Sequence, residues 1–515
     1  MSVRTSIRST WSLAVLVAGY FAIAVVAGAR NSPLTVLLPA RTSPPSWATT
    51  LARSFGLDQV GRDGLTGIAW ILVLLVLIAF ALVLREAWSR RIRLSAVLFA
   101  AGVSLALAVA APLLLSRDVY TYAAYGRIEA VYHHDPYFAK LSSFPHDPFV
   151  AVTPGQWVHT HSLYGPVFTL ISAAIARTGA SPGATILAFK LLAGLAIAAA
   201  TGFVALTAAK TRPERAPFAA ALVGLNPVIV VHTVGGGHVD ALIAAPLAAA
   251  MAIAVTRSRA IVITVLLTVA CLVKAVIVAP LALWLWWLVH ADWHRRGRIL
   301  VTHLAMVAGL MLASVVPFLS GRHTFAPFVS LGGVEAWASP SHLVGRDAQA
   351  IVGSLDAARA VEAAFGLVFL AGLWRLARRS RVSEPAALAA DWGVALLLLA
   401  LSMPYLLPWY AAWFTPFLGL LADMALLFAG AFVTGVLALT LIPADPFHGL
   451  TTPGVMYGVH YAAASVLLVV FLVVALKVFG PFTEHKDRST THRSAPLQRP
   501  LSRRFASAHR ARRVR

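Results

Sequence analysis

Charge is the scarcest ingredient of this 515-residue chain: Asp, Glu, Lys and Arg together make up 12%, where a soluble domain carries about 25%. Acids are rarer than bases, 20 against 42, which leaves a net charge of +22. Cysteine is almost absent. The single Cys271 lies inside an apolar run, so no disulfide can form within the chain. No Walker loop, no metalloprotease histidine pair and no G-x-S-x-G stands in a usable context. No folded basic domain is present, which sets nucleic acid aside as a partner. No internal repeat of the kind found in transporter halves is visible either.

What the chain has instead is apolar length. Hydrophobic residues make up 59%, and runs at 65–84, 94–115, 184–208, 299–319 and 455–478 reach the roughly 20 residues needed to span a bilayer. The fold class expected is an all-α polytopic membrane protein. The N-terminal run 11–29, behind a basic start, is long for a cleaved signal and reads as an anchor. Basic loops such as "REAWSRRIR" (85–93), "KTRPER" (210–215), "HRRGR" (294–298) and "RLARRSR" (375–381) belong on the cytoplasmic side. Counting crossings from them gives about 12–16 transmembrane helices with both termini cytoplasmic. The charge pattern holds only if 166–178 is a half-helix at the outer interface rather than a crossing. Residues 1–93 then form N-terminal spans. Residues 94–480 form the main membrane unit, with long outer loops at 116–165 and 320–357. Residues 481–515 form a basic, disordered cytoplasmic tail suited to anionic membrane lipids.

The polar chemistry concentrates in loop 116–165, and long loops of mixed polar and aromatic content tend to carry function. "SRDVYTYAAYGRIEAVYHHDPY" (116–137) opens it. Asp118, Tyr122, Tyr125, Glu129 and Tyr132 fall at i, i+4, i+7, i+11 and i+14, one face of a helix that Asp135-Pro136 should stop. Asp118 stands at headgroup depth, three residues beyond the apolar run. His133, His134 and Asp135, with His159 or His161, leave room for a divalent cation, although no cofactor is demanded. Elsewhere, Lys274 lies within a span, where an ionisable side chain is a functional candidate by default. "GGGHVD" (235–240) breaks an apolar run with three glycines, His238 and Asp240, and "PYLLPWYAAWFTP" (404–416) breaks another with prolines and aromatics.

One acid, several cations and a lipid interface suit the transfer of a sugar from a lipid phosphate to a hydroxyl. The acceptor needs a general base, and the departing phosphate needs cations. Phosphate leaves without strong protonation, so the second carboxylate used in glycoside hydrolysis is dispensable. A lipid-sugar transporter or flippase of similar span count is the alternative of another class. It would place its charges near the bilayer midplane.

The motifs "SRDVYTYAAYGRIEA…DPY", "YGPVF" (164–168), "LNPVIVVHTVGGGHVDAL", "VKA" (273–275) and "LLPWYAAWFTP" occur in this order. Over roughly residues 94–480 they resemble the actinobacterial polyprenol-phosphate-mannose-dependent α-(1→6)-mannosyltransferases of the GT-C superfamily. The resemblance implies a GT-C-type fold with extracytoplasmic juxtamembrane helices, a polyprenyl-phosphate-mannose donor and a glycolipid or mannan (lipomannan) acceptor. It implies inversion at a plasma-membrane site on the extracytoplasmic face. The acidic base of the first large outer loop maps onto Asp118. Arg117, Arg127, Lys274 and His238 are the candidate donor-phosphate ligands, and Tyr122, Tyr125, Glu129, Trp157, Tyr164 and Asp240 the candidate substrate-binding residues. The chain departs from the family pattern at Val239, where an amide is expected, and at His134, where a glycine is expected. A different polyprenyl-linked pentose or hexose stays open as donor.

Overall fold

A chain this apolar must satisfy its own backbone, and helices do so within each segment. The computed structural model describes residues 3–35, 45–256, 259–319, 338–381, 383–442 and 453–480, and among them there are no strands. The tail 481–515 and the 320–337 part of the expected second loop lie outside the described residues.

In chain order the helices are α1 (Val3–Ala27), α2 (Ser46–Ser54), α3 (Arg62–Trp88), α4 (Leu94–Ala110), α5 (Asp118–Ala130), α6 (Gly155–Val158), α7 (Pro166–Arg177), α8 (Pro182–Thr211), α9 (Ala216–Gly224) and α10 (Asp240–Thr256). They continue as α11 (Ala260–Val273), α12 (Val278–Ala291), α13 (Arg296–Val315), α14 (Pro340–Val352), α15 (Leu355–Ser380), α16 (Pro385–Ser402), α17 (Ala411–Leu418), α18 (Met424–Ala438) and α19 (Pro453–Phe479). Local chemistry sets many starts. Pro182, Pro340 and Pro385 open their helices, and the Ser181, Ser339 and Asp423 side chains cap α8, α14 and α18.

Among the described residues, seven helical stretches are long and apolar enough to cross a membrane: Arg62–Trp88, Pro182–Thr211, Pro213–Val234, Arg296–Phe318, Leu355–Ser380, Pro385–Ser402 and Tyr457–Phe479. Seven shorter apolar helices accompany them. This agrees with the all-helical, GT-C-type membrane architecture expected. The stretch Pro213–Val234 is almost wholly buried at the centre, against α8, α10 and α17. By contrast α3, α13, α15 and α19 leave rows of large aliphatic side chains exposed, such as Ile71, Leu75 and Ile78 on α3 or Leu367 and Leu370 on α15. Lipid is the natural cover for such rows.

Three breaks differ from simple crossings. The apolar piece expected to be a half-helix is α7, twelve residues long, packed along α5. The proline-broken aromatic stretch at 404–416 forms a short 3₁₀ turn, Pro408–Tyr410, followed by the eight residues of α17. The helix headed by Asp118 stops at Ala130 rather than at Asp135. His133 takes a left-handed conformation (φ 55°), and the His134 N–H closes on the Ile128 carbonyl. Tyr132 therefore leaves the expected helical face, and its hydroxyl donates to Asp147.

Candidate active site

The turn between α4 and α5 sets the first functional group. Leu115 has φ 62°, and the Ser116 N–H bonds the Leu114 carbonyl at 2.8 Å, a γ-turn of the strained kind. The Leu114 N–H reaches the Gly235 carbonyl and the Leu115 N–H the Leu34 carbonyl. Arg117 occupies the N-cap, so Asp118 is the first residue of α5, with its N–H on Ser116 Oγ at 3.1 Å. A carboxylate there meets the favourable end of the helix dipole.

A π-helical stretch, Val228–Val234, and the three glycines that follow set the second group. Gly237 has φ 67°, and a Cβ on Gly236 would lie 2.7 Å from the His238 ring. The turn delivers His238 with Nδ1 3.2 Å from the Tyr122 hydroxyl and 3.7 Å from Asp118 Oδ2. The ring stacks on Trp409 at 3.5 Å and 15°.

Two residues further, Asp240 begins α10 fully buried. Its Oδ1 receives Lys274 Nζ at 2.7 Å and Trp413 Nε1 at 2.6 Å, while Oδ2 has no hydrogen-bond partner among the described residues. Lys274 is in extended conformation between α11 and α12. Its ammonium stands over the rings of Tyr410 (4.4 Å) and Trp413 (5.0 Å) and stays 14% exposed. The "YGP" segment docks on this break. The Gly165 N–H bonds the Val273 carbonyl, and a Cβ on Gly165 would collide with the Leu272 carbonyl oxygen.

The structure thus brings Asp118, Tyr122, His238, Asp240, Lys274 and Tyr164 to one place, with Arg117 next to Asp118 at the start of α5. Tyr164 packs edge-on to Tyr122. The Asp118 carboxylate is 15% exposed, the Tyr122 and Tyr125 rings nearly none. Buried rings cannot stack on a sugar, so Tyr122 and Tyr125 form the wall. The half-exposed aromatics are Tyr164, Trp157 and Tyr405, the last two meeting edge-on. Arg127 and Glu129 do not join the cluster. Arg127 Nε lies 2.6 Å from Asp147, and Glu129 pairs with Arg177. Sequence reasoning does not single out Trp409, Trp413 or Tyr405; the proline-broken aromatic stretch that carries them is the available signal. Among the described residues no three His, Cys, Asp or Glu side chains group in a way that would hold a metal ion. His133 and His134 are exposed, and Asp135 Oδ1 accepts from the Tyr137 N–H.

Burial pushes the Asp118 carboxyl up to about 7. The Lys274 ammonium pulls it back, the Asp240 carboxylate pushes it further up, and the Ser116 hydroxyl stabilises the charged form. That range suits a general base near neutral pH.

A family model described as "Alpha-(1->6)-mannopyranosyltransferase, N-terminal domain" matches residues 16–290, a stretch that includes Asp118, His238, Asp240 and Lys274. The chain is 28% identical over 333 residues to alpha-(1->6)-mannopyranosyltransferase A of Mycobacterium tuberculosis, an alignment covering 59% of this chain. It spans 62% of the length of that relative. No solved structure matches the chain.

Proposed function

The chain belongs to the alpha-(1->6)-mannopyranosyltransferase family, and from that premise we propose that it transfers mannose from polyprenyl-phosphate-mannose to a mannan or lipomannan hydroxyl. The reaction takes place at the extracytoplasmic face of the plasma membrane, a side assigned by the basic loops opposite. Both termini are then cytoplasmic.

The carrying observation is the division of labour between two carboxylates. Asp240 is committed to Lys274 and Trp413. Asp118, beside them, is partly exposed, and burial pushes its carboxyl up to about 7. Asp118 removes the proton of the acceptor hydroxyl. The acceptor oxygen bonds to the anomeric carbon from the side opposite the phosphate. The carbon–oxygen bond to phosphate breaks, and its electron pair leaves on the polyprenyl phosphate. Attack from the opposite side turns a β-linked donor into an α-linked product. Lys274 and Arg117 supply positive charge where the phosphate departs. Lys274 is held for this by Asp240 and by the two rings beneath it. Trp157, Tyr164 and Tyr405 offer faces for the sugars, and the breaks at 235–240, 274 and 403–410 open the bundle for a polyprenyl tail.

The test is transfer of labelled mannose by membranes carrying Asp118→Asn. Loss of a general base costs about 10²–10⁴ in rate, with the same amount of folded protein in the membrane. Turnover near that of the parent protein would refute the assignment of the base. Movement of the lipid-linked sugar across vesicles with no new glycosidic bond would refute the reaction itself.

A further inference from the structure

Lys190 lies eight residues into α8, within a stretch apolar enough to span, and its side chain is buried at 2% exposure. Among the described residues no carboxylate pairs with it. A lysine buried in an apolar span is costly, and one without a counter-ion calls for a local reason. The ammonium donates instead to two backbone carbonyls, Ala111 and, at 3.0 Å, Pro112.

Those carbonyls stand just past the end of α4, where the backbone oxygens of a helix lose their partners. Inside a membrane they need a donor from the protein. A cation at that end also meets the negative pole of the helix dipole. The next residues form the strained turn at Leu115, and Asp118 follows within three positions. Lys190 touches the other functional turn as well. A Cβ on Gly237, at φ 67°, would stand 3.3 Å from Lys190 Cγ. The two turns are tied to each other by the Leu114 N–H on the Gly235 carbonyl. One lysine thus bonds the segment leading into the turn that carries Asp118 and packs close to the turn that carries His238.

We infer that Lys190 is a positioning residue: by donating to the Ala111 and Pro112 carbonyls it holds the strained Leu114–Ser116 turn and so fixes the place of the Asp118 carboxylate. The inference rests on the reading of Asp118 as the base. Lys190 does not touch the donor or acceptor, so its loss lowers kcat and leaves KM alone. Its loss also loosens one backbone segment rather than the bundle.

Two variants of the full chain test this, Lys190→Met, which has no donor, and Lys190→Gln, which keeps N–H donors without the charge. Each is measured for mannosyl transfer and for amide deuterium uptake. In Lys190→Met, kcat is expected to fall about 10- to 100-fold, the loss typical of a displaced reacting group. The KM for the donor should stay within about twofold, and uptake should rise in the peptide covering 111–120 while that of α10 stays constant. Unchanged uptake in 111–120, or raised uptake with kcat intact, overturns the inference. If Lys190→Met does not insert, Lys190→Gln decides on the same coupling: kcat falling together with a rise in uptake supports it, and either one moving alone overturns it. The exchange measurement does not depend on which reaction is catalysed. Its failure is therefore separable from failure of the mannosyl-transfer reading, which Asp118→Asn tests.

Discussion

The Arg127–Asp147 and Lys274–Asp240 pairs are nearly equal in length, 2.6 and 2.7 Å, yet they do different work. Asp147 is satisfied on all sides. Its Oδ2 accepts from Arg127 and the Tyr132 hydroxyl, and its Oδ1 from the Phe149 and Val150 N–H groups. The pair fastens the long loop to α5, and its carboxylate has no oxygen left to offer. Asp240 is satisfied on one oxygen alone, and the ammonium it holds remains partly open above two aromatic rings. Such a pair keeps a cation in place while leaving it able to meet an anion. The two pairs therefore differ not in length but in their carboxylates: both Asp147 oxygens are taken, while Asp240 Oδ2 has no hydrogen-bond partner among the described residues.

Breaking the open pair should have the largest effect on chemistry. Lys274→Met is expected to lower mannosyl transfer about 100-fold or more, the scale of losing one charge-stabilising group. Single-turnover kinetics in detergent or vesicles would check this, and transfer within a few fold of the parent would place the phosphate elsewhere. Breaking the closed pair should affect stability instead. Arg127→Met leaves a buried carboxylate without its counter-ion, a loss of about 3–5 kcal/mol for a fully buried pair and smaller here, where Arg127 is partly exposed and Asp147 keeps its other donors. Thermal unfolding in detergent should register it, while the kcat of the molecules that remain folded stays close to the parent's. An equal loss of kcat in both variants would erase the distinction between the two pairs.

The smallest effect concerns pH. As the proposed base Asp118 acts deprotonated, so transfer is expected to rise with pH through about 7. Lys274 stabilises the charged form of that carboxyl. Removing it should move the midpoint of the residual activity to higher pH. A midpoint that stays put or moves down would show that the two groups do not sense each other.

Much of this architecture is legible in the amino-acid chain itself. The apolar runs announce the helices, because backbone groups in a membrane have few other ways to pair. The short run at 166–178 is too short to cross, and it forms α7, lying along α5. The breaks are legible too. A glycine cluster, a lone lysine and a proline-rich aromatic stretch each interrupt an otherwise apolar segment, and all three meet at the site. Helical spacing is less informative within loop 116–165. It puts Tyr122, Tyr125, Glu129 and Tyr132 on one face, but periodicity does not say what that face meets. Tyr122 and Tyr125 meet protein, and Glu129 meets Arg177.

Sequence alone determined that the chain is a helical membrane protein, where its spans break, and which side chains stand at the breaks. These are local properties, set by hydrophobic length and by residues that cannot continue an apolar helix. Tertiary structure decided which charges are free to act. Asp147 lies 20 residues from Arg127, Lys274 34 from Asp240, and Trp413 173 from Asp240. Lys190 reaches back 79 residues to brace the turn before Asp118. Pairings over such separations are set by helix packing, and only packing shows which buried oxygen is left without a partner.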